Sequence, residues 1–288
     1  MTTNLTIGAV LAEGAQRLTG ASETPWLDAE LLLAHVLGES RTRLKSHPER
    51  AVDPRQVASY FEAVDRRAAG EPLAYLTGRR EFWSLPLAVT PAVLVPRPET
   101  ELVVERALAL CQKPSASVAD LGTGSGAIAI ALASERPGWK IVATDASEEA
   151  LSVARGNAAA LAPGRIEFLQ GAWFAPLAGR RFDLIVSNPP YVADGDPILA
   201  QPPLCHEPRS ALVAGEDGLS CLREIIRDAP QHLHRGGWIV LEHGATQAAD
   251  VARELVARGF GHVRSHRDLA GHERVTEGQW DPPPTRTA

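Results

Sequence analysis

The sequence predicts an α/β fold in which a parallel sheet, covered by helices on both faces, follows a small helical domain. In the first eighty or so residues, apolar side chains recur at helical spacing between helix start and stop signals. From about residue 97 onward, short apolar runs alternate with helical segments, a pattern typical of βαβ units. Between the two parts the pattern changes toward that of a strand and is interrupted by prolines.

The composition is that of an ordinary folded protein and excludes several classes. Of 288 residues, 44% are hydrophobic and 22% charged, which argues against a disordered chain. The longest nearly unbroken apolar stretch, Ala127 to Ala133, is far shorter than the roughly 20 residues of a membrane-spanning helix. The net charge of −6 weighs against nucleic-acid partners. Three scattered cysteines and an N-terminus without a leader-like pattern lead us to expect a cytoplasmic protein.

The helical part can be read element by element. Apolar residues recur at helical spacing from Ile7 to Leu18. Thr24-Pro25 predicts the start of a second helix and Gly38 its end. Asp53-Pro54-Arg55-Gln56 predicts the start of another, which Gly70 ends. We therefore expect a helical bundle, which suits partner recognition better than chemistry.

The remainder predicts a linker and then the sheet. Residues from Arg80 to Val95 indicate an extended linker or a hairpin, and a helix follows Pro96-Arg-Pro-Glu-Thr-Glu101. The predicted strands are Ser117 to Leu121, Ile141 to Thr144, Ile166 to Leu169, Phe182 to Val186, Trp238 to Leu241, Val263 to Ser265 and Arg274 to Thr276. We expect the last residues, 281–288, to be a frayed tail.

A glycine-rich loop, Gly122-Thr123-Gly124-Ser125-Gly126, lies where a predicted strand passes into a helix. Glycines there allow a tight turn and let a nucleotide-like cofactor approach backbone N–H groups at the start of the helix. The loop alone does not distinguish a nicotinamide cofactor from S-adenosylmethionine.

Asp145 ends the next predicted strand, about 20 residues after the loop, where a ribose-binding carboxylate is expected. An alternative role is that of N-cap for the helix that begins near Ser147. We favour the ribose.

The segment Asn188-Pro189-Pro190-Tyr191 ends a buried strand at the sheet edge where α/β proteins bind ligands. Prolines have no N–H, so carbonyls around them stay available as acceptors. The Asn188 amide oxygen and the Pro189 carbonyl can accept both hydrogens of a planar NH₂ group while the Tyr191 ring packs on its face. Such a pocket aligns an amino or amide nitrogen with an electrophilic methyl group.

These motifs resemble those of class I S-adenosylmethionine-dependent methyltransferases that act on amino groups, several of which methylate adenine or cytosine. Other segments are similar to the bacterial release-factor glutamine methyltransferases over nearly the whole chain. They are Gly70-Glu-Pro-Leu-Ala-Tyr-Leu-Thr-Gly78, Glu81-Phe-Trp83, Val95-Pro-Arg-Pro-Glu-Thr-Glu101, Glu207-Pro-Arg-Ser-Ala-Leu212, Glu216-Asp-Gly-Leu219 and Glu273-Arg-Val275. Gln201-Pro-Pro-Leu-Cys-His206 departs from the family pattern, which has a more charged segment there.

The resemblance implies a Rossmann-like seven-stranded methyltransferase domain at 97–288, a β-hairpin linker at 79–96 and a helical substrate-recognition domain at 1–78. It implies methylation of the side-chain amide nitrogen (N5) of the Gly-Gly-Gln glutamine in class I peptide chain release factors, which modulates translation termination. We expect a monomer that binds neither membrane nor stable nucleic acid. The cofactor-binding residues implied are Gly122, Thr123, Gly124, Ser125, Gly126, Asp145, Trp173 (against the adenine) and Asn188. The substrate-binding residues implied are Asn188, Pro189, Pro190 and Tyr191, and the catalytic residues implied are Asn188, Pro189 and Tyr191.

Other hypotheses remain open at the level of sequence. A nucleic-acid amino methyltransferase is the main alternative; a cofactor-binding module without catalysis and a nicotinamide dehydrogenase rank lower. We expect no metal site, and interpret His232, His234 and His243 as solvated residues near a helix end. Arg97 and Glu99 suit the neighbourhood of an active site and the start of a helix equally well.

Overall fold

The computed structural model describes residues 5–281, which fall into two compact units. The first contains the described residues up to Arg79 together with Ala200–His206. The second contains Arg80–Leu199 and the described residues from Glu207 onward. The domain limits predicted from the sequence, 1–78, 79–96 and 97–288, stay a prediction.

The first unit is helical, as predicted. Its described helices are α1 (Ile7–Leu18), α2 (Pro25–Leu37), α3 (Arg41–Ser46), α4 (Pro54–Ala68) and α5 (Leu73–Thr77). They enclose a core that includes Ile7, Leu18, Leu32, Leu33 and Tyr60. The segment 200–206 belongs to this unit, where Pro202 lies so close to Gly70 that a Cβ atom on Gly70 would be 2.5 Å from it.

Two of the predicted helix signals act as expected and one does not. The Asp53 side chain accepts a hydrogen bond from the Arg55 backbone N–H at the start of α4, and Gly38 ends α2 in the left-handed conformation. Thr24 precedes α2, but its hydroxyl makes no cap bond and donates to Asp28 Oδ1 at 3.1 Å instead.

The predicted hairpin is formed by β1 (Arg79–Phe82), which belongs to the second unit from Arg80 onward, and β2 (Leu85–Ala88); α6 (Glu101–Leu110) follows. The elements that follow build the main sheet and its covering helices. In chain order they are β3 (Ser117–Leu121), α7 (Ala127–Glu135), β4 (Lys140–Asp145), α8 (Glu148–Leu161), β5 (Ile166–Gln170), β6 (Phe182–Ser187), α9 (Ser220–His232), β7 (Leu233–Glu242), α10 (Ala248–Arg258), β8 (Gly261–Arg267) and β9 (Glu273–Trp280).

The described part of the chain forms a seven-stranded sheet in the order β5-β4-β3-β6-β7-β9-β8. The first five strands in this order are parallel, as predicted, whereas β9 runs antiparallel to β7 and β8. A tight turn joins β8 to β9, with the Asp268 N–H donating to the His272 carbonyl at 2.8 Å. Parallel strands need a long crossover, so this short connection imposes the antiparallel pair.

Helices cover both faces of the sheet. On one face Val103, Val104 and Ile130, from α6 and α7, pack in one apolar cluster with the sheet. On the other, residues of α9 and α10 such as Ile226 and Leu255 pack in a second cluster. No helix within residues 5–281 is both long and apolar enough to cross a membrane. The chain order reverses between β3 and β6, which marks their carboxyl ends as the place where α/β sheets bind ligands.

Candidate active site

A cavity of about 420 Å³ lies within the second unit at the carboxyl ends of β3, β4 and β6. Its size is that of a small-molecule site. Eight of the predicted site residues line it: Gly122, Thr123, Gly124, Ser125, Asp145, Trp173, Asn188 and Pro190. The other predicted residues, Gly126, Pro189 and Tyr191, are not among the lining residues. The rest of the lining was not predicted from the sequence and includes Leu94, Pro96, Pro208, Ser210, Ala211 and Cys221.

The glycine loop turns sharply between β3 and α7. Gly122, Gly124 and Gly126 have φ values of +69°, +55° and +85°, which side-chain-bearing residues rarely adopt. A Cβ atom on Gly122 would lie 3.1 Å from the Trp173 ring, so glycine is what allows the indole to approach the loop. A Cβ on Gly126 would lie 2.9 Å from Ile130 Cδ1, so this glycine serves close packing on α7.

Asp120 supports this loop from inside the protein. Its side chain is fully buried, and Oδ2 accepts hydrogen bonds from the Thr123 hydroxyl at 2.6 Å and the Ala129 N–H at 3.2 Å. Oδ1 has no partner among the described residues. Burial raises the pKa of Asp120 to about 7. Asp120 was not among the predicted site residues, although an acidic residue within an apolar strand before a glycine loop is a signal that the sequence contains.

Asp145 connects the loop to the next helix. Its Oδ2 accepts a hydrogen bond from the Gly124 N–H and its Oδ1 one from the Ser147 N–H, each at 2.9 Å. Ser147, not Asp145, caps α8 by accepting from the Ala150 N–H at 3.1 Å. The alternative role of Asp145 as the N-cap is therefore wrong, and its carboxylate, with further acceptor capacity, faces the cavity.

Trp173 adopts a left-handed backbone conformation, with φ of +46°. Its carbonyl accepts from the Thr144 hydroxyl at 3.0 Å, and its indole N–H donates to Glu224 at 3.2 Å. Bonds at both ends of the residue fix the ring beside Gly122 at the cavity wall.

The Asn188 side chain has one end held and one end free. Nδ2 donates to the Thr100 hydroxyl at 3.1 Å, whereas Oδ1 accepts a hydrogen bond from no described residue. The Pro189 carbonyl likewise accepts from none of them. Both acceptors at the tip of β6 therefore keep free capacity; Asn188 lines the cavity, and the buried Pro189 is the next residue along the chain.

Tyr191 is anchored at both its backbone and its side chain. Its carbonyl accepts from Gln247 Nε2 at 3.0 Å, and its hydroxyl donates to Glu242 Oε1 at 3.3 Å. Burial, together with the nearby Glu242 carboxyl, raises the pKa of Tyr191, so the phenol stays protonated.

Arg97 does not line the cavity but binds a segment that does. Its guanidinium forms an ion pair with Glu207, whose side chain is fully buried and also accepts from the Val95 N–H at 3.1 Å. These bonds fix the segment that carries Pro208 and Ser210, both at the cavity. Arg97 also directly precedes the 3-10 turn Pro98–Thr100, so a role beside the active site and a role at the start of a helix both stay predictions for this residue.

One of the three histidines predicted to be solvated is buried. His243 is fully buried instead of solvated, with Nε2 2.8 Å from the Thr276 hydroxyl and Nδ1 2.9 Å from the Gly244 carbonyl. It follows directly on β7, so the sheet covers it. Burial lowers the pKa of His243, which favours the neutral ring.

Asn157, on α8, joins the hairpin to the glycine loop. Its Nδ2 donates to the carbonyls of Ala88 and Ser125 and its Oδ1 accepts from the Ala88 N–H, at 2.8–2.9 Å. These three bonds are local to the second unit and connect segments far apart in sequence, which is why no motif revealed the residue.

Replacing Asn157 by alanine is expected to destabilise the second unit by about 3 kcal/mol, because three backbone groups lose their hydrogen-bond partner. A buried polar group left unpaired costs about 1–3 kcal/mol when water cannot reach it. Thermal unfolding followed by calorimetry tests this. Gln112→Ala, at an exposed amide whose contact to Ala109 is 3.5 Å long, is the control. Equal unfolding temperatures for both variants would contradict the assigned role.

Comparison with known proteins agrees with this geometry. Residues 9–78 match the PrmC N-terminal domain family, and residues 100–271 match the methyltransferase small domain family. The release factor glutamine methyltransferase of Pseudomonas aeruginosa is 51% identical over 255 residues, covering 88% of this chain and 92% of that protein. That of Escherichia coli is 46% identical over 260 residues, covering 90% and 94%. The chain belongs to the release factor glutamine methyltransferase family.

A solved structure adds support for the fold alone. A methyltransferase from Pyrococcus furiosus aligns with a TM-score of 0.53 at 19% identity, covering 69% of this chain and 90% of that one. The predicted fold class, a seven-stranded methyltransferase sheet with an N-terminal helical domain and a hairpin, is confirmed.

The cavity suits the cofactor of such an enzyme. The open space at Gly124 leaves room for a ligand close to the backbone, and the carboxylate of Asp145 can accept from hydroxyl groups. The Trp173 indole offers an apolar face for a planar ring. These residues fit S-adenosylmethionine, whose ribose, adenine and amino-acid parts need such groups.

Proposed function

We propose that this chain transfers a methyl group from S-adenosylmethionine to the side-chain amide nitrogen of the glutamine in the Gly-Gly-Gln motif of class I release factors. The observation that carries the proposal is the identity of 43–51% to release factor glutamine methyltransferases from three bacteria over about nine-tenths of this chain or more. The free acceptors at Asn188 and Pro189 support it, because a glutamine side chain ends in a planar NH₂ group.

The cofactor, S-adenosylmethionine, supplies an electrophilic methyl group. We propose that Asp145 binds the ribose of the cofactor, that Trp173 contacts its adenine and that the loop Gly122 to Gly126 lies beside the cofactor. Gly126 contributes through the packing that shapes the loop.

At the substrate side, Asn188 Oδ1 and the Pro189 carbonyl accept the two hydrogens of the glutamine amide. An amide nitrogen is a weak nucleophile because its lone pair is delocalised, so alignment with the methyl group provides much of the acceleration. The two acceptors also favour the positive charge that develops on the nitrogen. Pro190 shapes the wall, and Tyr191, anchored to Glu242 and Gln247, keeps the segment rigid.

The helical unit is proposed to recognise the release factor. Two large apolar side chains near the start of α2, Trp26 and Leu27, are 52% and 37% exposed. Replacing both by serine is expected to raise KM for the release factor about tenfold without changing kcat, as loss of an aromatic anchor does. Leu269→Ser, at a fully exposed leucine of the second unit, is the matched control. An unchanged KM in the double variant would contradict recognition through these side chains.

We further propose that the protein acts as a monomer in the cytoplasm, where translation takes place, and sedimentation analysis tests the monomer. The activity itself is tested by incubating the protein and methyl-labelled S-adenosylmethionine with unmodified release factor, with transfer RNA, with ribosomal RNA and with DNA. Label in the release factor alone is the expected result. Label in a nucleic acid but not in the release factor would overturn the proposal.

A further inference from the structure

The Asn188 amide can present either its oxygen or its NH₂ group to the cavity, and only the oxygen can accept a hydrogen bond from a substrate amide. We propose that Thr100 and Glu242 are positioning residues that hold the Asn188 amide with Oδ1 toward the substrate. The inference rests on the function proposed above and adds two residues to it.

Thr100 is in contact with Asn188 and is not otherwise occupied as a cap. It is 4% exposed and directly precedes α6, where a threonine hydroxyl usually accepts from a backbone N–H of the first turn. No such bond is made. Its hydroxyl instead accepts from Asn188 Nδ2 at 3.1 Å.

Glu242 determines which way that hydroxyl points. It ends β7, is 1% exposed, and its Oε1 accepts from the Tyr191 hydroxyl at 3.3 Å. Its Oε2 has no hydrogen-bond partner of ordinary geometry among residues 5–281. The Thr100 hydroxyl lowers the pKa of Glu242, which is the effect of a hydroxyl that directs its proton toward a carboxylate.

When Glu242 is ionised, the three side chains form a series of hydrogen-bonding groups with one direction. An ionised carboxylate only accepts, so it draws the Thr100 proton toward itself. The Thr100 oxygen is then available to Asn188 only as an acceptor, so Asn188 donates to it through Nδ2. Oδ1 is left facing the cavity. A flipped amide would set two acceptors, Oδ1 and the Thr100 oxygen, against each other and turn a donor toward the substrate NH₂.

The ionisation of Glu242 should therefore control turnover. Burial raises its pKa, and the nearby Glu99 adds to the rise, while the hydroxyls of Thr100 and Tyr191 and the charge of Arg274 lower it. The result is a pKa of about 7. The carboxylate is the form that positions Asn188, so kcat should fall as the pH decreases through about 7.

The first test compares Thr100→Val with Thr100→Ser. Valine keeps the shape but removes the hydroxyl, and kcat is expected to fall about 10- to 100-fold, with the Kd for S-adenosylmethionine unchanged. Serine should restore most of the loss. Thr276→Val removes a buried hydroxyl bonded to His243, and it should lower the unfolding temperature but not kcat. Wild-type kcat in Thr100→Val would overturn the proposal.

The second test is the pH profile of Glu242→Gln. A glutamine side chain can donate to Thr100 as well as accept from it, so kcat should fall. The decrease of kcat at acidic pH should disappear, because glutamine does not ionise. An acid limb near pH 7 that persists in Glu242→Gln would show that another group is responsible and would overturn the assignment to Glu242.

A third measurement is independent of methyl transfer. The side-chain NH₂ of Asn188, assigned by its loss in Asn188→Ala, should exchange slowly with solvent in the wild type and rapidly in Thr100→Val, as followed by NMR. Slow exchange in both would overturn the inference even if release factor is methylated. Failure of the wild type to methylate release factor while this difference persists would instead count against the proposed function.

Discussion

Replacing Asn188 by alanine is expected to reduce methyl transfer to release factor by about 100- to 1000-fold, the loss that follows removal of a group aimed at developing charge in a transition state. The variant loses the Oδ1 acceptor, and only the Pro189 carbonyl remains to orient the glutamine amide. Asn188 is only one of the many residues that line the cavity, so the affinity for S-adenosylmethionine should change by less than about tenfold.

Single-turnover kinetics and isothermal titration calorimetry separate these two effects of Asn188→Ala. Gln112→Ala, an amide truncated at an exposed position with one long contact to the Ala109 carbonyl, serves as the control and should retain full turnover. Turnover at the wild-type level in Asn188→Ala would remove the basis for the proposed acceptor pocket.

Asp145→Ala is expected to weaken binding of S-adenosylmethionine by about 100-fold or more. The change removes the carboxylate proposed to accept from the ribose and also the partner of the Gly124 and Ser147 N–H groups. A hydrogen bond to a charged group contributes about 1.5–3 kcal/mol, and more than one is lost. At saturating cofactor, kcat should fall much less, because Asp145 ends β4, which β3 separates from β6 and the proposed acceptors that follow it.

Titration calorimetry measures this Kd directly. Glu148→Gln is the matched control. Glu148 lies three residues after Asp145, and its exposed carboxylate is paired with Arg155, so this change also removes one negative charge. It should bind the cofactor normally. Equal affinities for Asp145→Ala and the wild type would contradict the ribose role.

Much of the fold could be predicted because each strand of the sheet is a short apolar run bounded by polar residues. The central strands agree with prediction to within one or two residues at each end. Two strands are longer than predicted. β9, predicted as Arg274 to Thr276, extends to Trp280. β7, predicted from Trp238, starts at Leu233, because His234, Arg235 and two glycines do not resemble a buried strand. Its pairing with β6 shifts register at this point.

The candidate site could be predicted where its residues lie close together in sequence, as in the glycine loop and Asn188 to Tyr191. It could not be predicted where partners meet only through the fold. Thr100 and Asn188 are 88 residues apart, and Asn157 and Ala88 are 69 apart. Glu242 directly follows the predicted strand Trp238 to Leu241, as Asp145 follows Ile141 to Thr144, and that shared position at the carboxyl edge was the available signal.

The most direct test of the central claim is fragmentation mass spectrometry of unmodified release factor after incubation with this protein and S-adenosylmethionine. The account predicts a mass gain of one methyl group, with loss of one hydrogen, on the side chain of the glutamine in the Gly-Gly-Gln motif and nowhere else. An unmodified glutamine, under conditions in which calorimetry shows that the cofactor binds, would contradict it.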